Sequence, residues 1–89
     1  MDEIKLEIKK RNRDFGIITW PYSQDFEVKT LFDLKETINI EFNGKVFKNR
    51  KVSYKYRRFN FGKKRIESMS GRKFFLLSRS KGNIKVSAK

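Results

Sequence analysis

The chain has 89 residues, of which 37% are hydrophobic and 15% aromatic, and it carries a formal net charge of +13. This length predicts one small domain, residues 1–89, and argues against a two-layer enzyme with a deep pocket. The sequence contains no cysteine and no histidine, which excludes disulfide frameworks, thiolate chemistry and zinc modules. The acids are too scattered to predict a magnesium or calcium site. We therefore expect no metal and no cofactor.

The chain also lacks the signals of membrane insertion and export. No apolar run approaches the roughly 18 residues of a membrane span, and the acidic start Met1-Asp2-Glu3 is unlike a signal peptide. Low hydropathy with high charge is typical of disorder, but nine Phe and a single Pro favour a folded chain. We expect a soluble cytoplasmic domain, with no membrane partner, whose residues 87–89 are frayed.

The N-terminal third predicts strands. Apolar and charged residues alternate from Glu3 to Lys10, which indicates a half-buried strand, although Ile4 and Ile8 also fit one face of a helix. A polar turn follows. The β-branched and aromatic residues of Phe15–Trp20 then predict a second strand, which Pro21 ends.

The next segment is less regular. Trp20-Pro21-Tyr22 is either a stacking or partner-binding platform or, as is more common for such a Trp, the closure of a small core. Alternation over Phe26–Lys29 predicts a strand. Leu31–Leu34 is either its continuation or one helical turn with Thr30 as the N-cap.

A β-hairpin is predicted over residues 38–48. Asn43-Gly44 suits a two-residue type I′ turn, in which both residues need positive φ. This turn pairs Phe42 with Lys45 and Ile40 with Phe47. Ile38 shares their face, which we expect to be the core face.

The longest predicted strand is Lys51–Phe61. Val52, Tyr54 and Tyr56 lie on one face, but the alternation slips after Arg57-Arg58. A β-bulge at that point returns Phe59 and Phe61 to the Tyr54 side, whereas a straight strand places both among the cations. The sequence leaves both alternatives open.

The C-terminal third predicts a basic loop at residues 62–65, a helical turn at Ile66–Met69, and strands at residues 73–78 and 84–86. Together these elements predict a mostly β fold of about 5–7 short strands with at most one short helix. An OB- or SH3-like antiparallel barrel or sandwich fits best, because closure removes exposed strand edges.

The charge distribution carries the functional signal. Residues 45–65 contain ten Lys or Arg and no acid. Residues 1–41 have a net charge of −2, residues 42–66 of +10 and residues 67–89 of +5, which sum to +13. A basic block of this kind predicts binding to a polyanion, in particular to the phosphates of DNA or RNA.

The predicted phosphate contacts are Lys48, Arg50, Lys51, Lys55, Arg57, Arg58, Lys63, Lys64 and Arg65, with Arg72, Lys73 and Arg79 as secondary contacts. Tyr54, Phe59 and Phe61 are candidates for base stacking, and the alternative is that they form the core. Sequence specificity should be low to moderate, because no helix is predicted to enter a major groove.

Two other functions are compatible with the sequence. One is a small regulator or inhibitor that binds an acidic protein surface, as phage or mobile-element proteins do. The other is a metal-independent ribonuclease toxin in which Lys55, Tyr56 and Arg58 stabilise the scissile phosphate. No His and no carboxylate pair is available for acid–base work, so we expect no catalytic residue.

Overall fold

Residues 3–89 form one bent sheet of seven strands, which nearly closes into a barrel. The structure, a computed structural model, describes these residues. Its strands are β1 (Glu3–Glu7), β2 (Ile17–Thr19), β3 (Thr37–Phe42), β4 (Lys45–Ser53), β5 (Arg58–Asn60), β6 (Phe74–Ser80) and β7 (Asn83–Ala88). Its helices are α1 (Lys10–Phe15), α2 (Asp25–Phe32) and α3 (Lys63–Glu67), with a 3₁₀ turn at Tyr22–Gln24. The prediction of a small, mostly β barrel is confirmed, and the helices are more numerous than expected.

The strand order is β1-β6-β7-β3-β4-β5-β2. Neighbouring strands are antiparallel except β3 and β7, which run parallel. The prediction of a purely antiparallel sheet is therefore wrong for this one pair. The two strands at the ends of this order, β1 and β2, leave a gap that we call the seam. Helix α1 connects these two strands along the chain.

The core occupies the inside of the barrel. Ile4 and Leu6 of β1 point into it, so the predicted first strand is confirmed. Trp20 is also buried, as the core interpretation predicted, and its ring meets the edge of Phe32 at 5.9 Å. Its indole N–H donates a hydrogen bond to Asp25. None of the helices within residues 3–89 is long and apolar enough to cross a bilayer.

The β3–β4 hairpin has the predicted turn and register. Asn43 and Gly44 both have positive φ, and Ile40 pairs with Phe47. Further along, β4 has an extra residue opposite β3, because Asn49 adopts a φ of 59° and its N–H donates to the side chain of Asn39. This bulge places a later residue of β4, Arg50, opposite buried Ile38.

The predicted strand at Phe26–Lys29 is wrong, because this segment belongs to α2. Val28 and Phe32, four residues apart, are buried on one face of the helix, while Phe26 is exposed. The predicted cap Thr30 lies inside the helix instead, where its hydroxyl donates to the carbonyl of Phe26.

The predicted long strand Lys51–Phe61 is divided by a turn at residues 54–57, where Arg57 has a φ of 53°. The chain therefore reverses direction instead of forming the proposed bulge. Val52 pairs with Phe59 across the reversal, and Phe59 and Phe61 are both buried. The two phenylalanines thus face the core.

Two segments predicted as a turn and a loop are helical. The predicted polar turn at residues 11–14 lies inside α1, and the predicted basic loop at residues 62–65 contains the start of α3. Residues 87–89, for which fraying is predicted, are paired with the sheet in the structure. Ser87 and Ala88 belong to β7, and the backbone of Lys89 exchanges hydrogen bonds with Phe74.

Candidate functional site

A groove of about 470 Å³ lies at the seam of the barrel. We call it the seam groove. Its walls come from four segments. One runs from the end of β1 to the residue before α1, and the second is α1 itself. The third is the segment that follows β2, and the fourth is the β4–β5 turn. Its lining residues are Glu7, Lys9, Arg11, Thr19, Trp20, Pro21, Gln24, Lys55, Tyr56, Arg57 and Arg58.

The basic surface continues beyond the groove. Arg11 and Arg58 also border a more open depression over β2, β4 and β5, and Lys51 lies on its rim. Across residues 3–89, the groove and this depression therefore share a surface with six cations and a single carboxylate, that of Glu7. The cations are Lys9, Arg11, Lys51, Lys55, Arg57 and Arg58.

Hydrogen bonds hold the β4–β5 turn against the groove. The N–H of Trp20 donates to the carbonyl of Arg57, and the N–H of Tyr56 donates to the hydroxyl of Ser53. The phenol of Tyr54 donates to the carbonyl of Lys35 at 2.7 Å. The cations of this turn therefore project from a backbone that is fixed at several points.

Helix α1 is held on the other side of the groove by a buried amide. The side chain of Asn12 is fully buried, accepts a hydrogen bond from the N–H of Lys9 and donates to the carbonyl of Ile17 and the hydroxyl of Thr19. These bonds join the residue before α1 to β2. They position Lys9 and Arg11, which face the groove.

The helix ends at Gly16, whose left-handed φ of 67° few other residues adopt readily. The carbonyl of this glycine accepts the N–H groups of Phe61 and Gly62. A Cβ at this position would lie 2.5 Å from the backbone N of Lys63. The close approach of α1 and α3 therefore requires glycine here.

Within residues 3–89, no cation of the groove forms an ion pair with a carboxylate, although Arg57 is near enough to Asp25 for its charge to help lower the pKa of that carboxyl. The ion pair found in the described part of the chain joins Lys29 to Asp25, and neither residue lines the groove. The Nε–H of Arg57 is buried and has no hydrogen-bond acceptor among the residues of the structure. Like charges gathered in a concave surface concentrate positive potential and attract anions. The groove is thus suited to a ligand that carries several negative charges.

Only part of the predicted phosphate-contacting set meets at this surface. Lys51, Lys55, Arg57 and Arg58 are brought together there, whereas Lys48, Arg50, Lys63, Lys64 and Arg65 do not line it. Sequence reasoning missed Lys9 and Arg11. Residues 9–13 form a short basic run that could have indicated them. The nine acids of residues 1–41 hid this run, because they make the net charge of that segment negative.

Arg50 and Arg65 lie elsewhere, around the ring of Phe47. The Cζ atom of Arg65 is 3.6 Å from the ring centroid and that of Arg50 is 5.8 Å away. Arg65 also donates to the carbonyl of Phe61. Burial and the neighbouring charge of Arg50 lower the pKa of Arg65. Cation–π packing and this hydrogen bond thus hold Arg65 beside the core. Arg50 lies farther from the same ring, and its Nε–H, like that of Arg57, is buried with no acceptor among the residues of the structure.

The secondary cations also lie outside the groove. Arg79 donates to the carbonyls of Thr30 and Leu31 in the last turn of α2, and the carbonyl of Thr30 also accepts the N–H of Asp33. Arg72 and Lys73 precede β6, and their carbonyls accept hydrogen bonds from the side chain of Arg13 and the N–H of Ile8. These contacts give Arg79 a structural role.

The predicted stacking residues are not available to a base. Phe59 and Phe61 are each 1% exposed, so both belong to the core, which was the alternative interpretation. Tyr54 is half-buried and its ring packs on Trp20, and burial raises the pKa of its phenol. The aromatic ring exposed at the groove is that of Tyr56, for which the alternation predicts the same face as Val52.

Comparisons of the chain with models of known families, with curated proteins and with solved structures found no match. Within residues 3–89, no three carboxylates lie together as potential metal ligands.

Proposed function

We propose that the protein binds nucleic acid through its sugar–phosphate backbone, in the seam groove and the adjoining depression. The main supporting observation is that six cations and one carboxylate line this surface. Within residues 3–89, none of these seven side chains forms an ion pair. A solvated surface usually mixes both signs of charge. A polyanion would relieve the mutual repulsion of these cations and release its own condensed counterions.

The proposal predicts affinity with little dependence on base sequence. The cations of the lining are lysines and arginines, and the helix that borders the groove, α1, has only six residues, which is short for a helix that reads base edges in a major groove. Phosphate contacts position a protein on nucleic acid but carry no sequence information directly.

The experiment is a salt titration of binding, followed by fluorescence anisotropy, to single- and double-stranded RNA and DNA of matched length. If six cations contact a single strand, log affinity should fall with log salt at a slope of about −4. A slope near zero, or no binding at low salt, would contradict the proposal. Protein partners that persist on the purified protein after nuclease treatment would favour the regulator instead.

A ribonuclease is a second candidate, because one observation favours it. Lys55, Tyr56 and Arg58, the residues of that hypothesis, line the same groove, and Glu7 adds a carboxylate that could serve as a base. In that case labelled RNA would be cleaved without added metal, and Glu7→Gln would abolish cleavage but retain binding. Intact RNA after prolonged incubation would leave binding as the function.

A further inference from the structure

We infer that the seam groove takes a single-stranded segment of nucleic acid and that one of its bases stacks on Tyr56. This inference rests on the proposed function and adds the class of strand to it. It starts from the position of the tyrosine. Tyr56 is 60% exposed, lies in the turn between β4 and β5 and lines the groove.

Two cations lie over the ring of Tyr56 in cation–π contact. The Nζ atom of Lys55 is 5.4 Å from the ring centroid, and the Cζ atom of Arg58 is 5.2 Å from it. Both residues also line the groove. A base that stacks on this ring would take the place of a cation on the ring face, and the displaced cation would then lie within reach of the flanking phosphates.

A second exposed ring adjoins the same groove. Tyr22 is 78% exposed, and the Cζ atom of Arg57 lies 5.9 Å from its ring centroid. The neighbouring residues Pro21 and Gln24 line the groove. Two exposed tyrosines, each with an arginine beside it, thus accompany the cations of the groove.

This combination of groups distinguishes a single strand from a duplex. In a duplex the bases are paired and stacked on one another, so an exposed ring finds no free base face. In a single strand the bases are free to stack on aromatic side chains, while a basic groove follows the backbone. Stacking tolerates any base, because every base has an aromatic face.

The test uses a ten-nucleotide single strand labelled with 2-aminopurine, an abasic strand of the same length and a matched duplex. Each base–aromatic stack is worth about 1–3 kcal/mol, so Tyr56→Ala should weaken single-strand binding about 5- to 140-fold. The slope of log affinity against log salt should stay the same, because no cation is removed. Tyr56→Phe should retain both the affinity and the quenching of 2-aminopurine.

The control is Phe26→Ala, which removes another exposed ring, on α2 and outside the groove lining. It should bind like the wild type. Equal affinity of the wild type and Tyr56→Ala, or equal affinity of the abasic and natural strands, would overturn the inference and leave phosphate binding intact. A loss of affinity in Tyr56→Phe as large as in Tyr56→Ala would also overturn it. If the wild type binds none of these strands at low salt, the proposed function itself fails.

Discussion

Replacing Arg11, Lys55 and Arg58 by glutamine should halve the number of cations in the proposed interface. All three side chains are exposed and line the groove, and none forms an ion pair or a side-chain hydrogen bond within residues 3–89. The fold should therefore tolerate their loss. Arg57 is left in place, because its positive φ and its half-buried side chain make it part of the turn.

The size of the effect follows from the number of phosphate contacts. Each contact to a single strand contributes about −0.7 to the slope of log affinity against log salt. Six cations give a slope of about −4, and the three that remain give about −2. Between 50 and 200 mM salt, the wild type should lose about 300-fold in affinity and the variant about 20-fold.

A matched variant controls for net charge. Lys45, Lys81 and Lys85 are exposed and do not line the groove or the adjoining depression. Their replacement by glutamine lowers the formal net charge from +13 to +10, as the groove variant does. The assay is anisotropy at each salt concentration, with thermal unfolding to confirm that both variants fold.

The control variant should keep a slope close to that of the wild type. Equal slopes for the groove variant and the wild type would refute the reasoning, because they would show that the three cations touch no phosphate. A slope that is reduced equally in both variants would mean that net charge, rather than the groove, determines binding.

Three further predictions concern the scaffold of the groove. Asn12→Ala leaves buried polar partners without hydrogen bonds and should lower the free energy of unfolding by about 3 kcal/mol in urea titrations; a loss below about 1 kcal/mol would contradict the role given to its amide. Gly16→Ala should lower the free energy of unfolding by about 2 kcal/mol or more, because its Cβ would meet the α3 backbone. Gly71 also has a positive φ but lies in open space, so Gly71→Ala should lower it by about 1 kcal/mol. Equal losses in the two variants would contradict the close approach of α1 and α3. Hydrogen bonds from Trp20 and a neighbouring lysine lower the pKa of Asp25 below its ordinary value of 3.8. The ionised carboxylate therefore stabilises the fold above pH 3.8, and this stabilisation is lost as the pH falls through the folded-state pKa. The stability difference between the wild type and Asp25→Asn should therefore shrink in acid, and a difference independent of pH would contradict this.

The sequence predicted the fold class and the β3–β4 hairpin because their signals are local. Asn43-Gly44 specifies its own turn geometry, and the alternation of Ile38 and Ile40 specifies which face is buried. The α2 segment was predicted as a strand, because Phe26 and Val28 alternate with charged residues as they would in a strand. The buried pair Val28 and Phe32, four residues apart, is the pattern that the helix uses.

The turn at residues 54–57 had no comparable signal. Tyr54 and Tyr56 continue the strand alternation of Val52, and the reversal depends on a positive φ at Arg57, a residue that adopts it rarely. This one turn determines which aromatic rings are exposed. The sequence therefore did not indicate that Phe59 and Phe61 are buried while Tyr56 is exposed at the groove.

The groove could be predicted only in part, because it joins segments that are distant in sequence. Lys55, Arg57 and Arg58 belong to the predicted basic block, but Lys9 and Arg11 reach the same groove from the opposite side of the seam. Their proximity depends on the strand order, which places β1 and β2 at the two ends of the sheet. Composition alone does not contain this information.

The most direct test of the account maps the bound surface residue by residue. We suggest titrating the ¹⁵N-labelled protein with a short single-stranded oligonucleotide at low salt and following the backbone amide and arginine Nε–Hε signals. The account predicts that the largest shifts occur at Lys9, Arg11 and residues 55–58, with the Nε–Hε signal of Arg57 among them. Shifts confined to α3 and the Arg50–Arg65 pair, or to the β6–β7 hairpin, would contradict it.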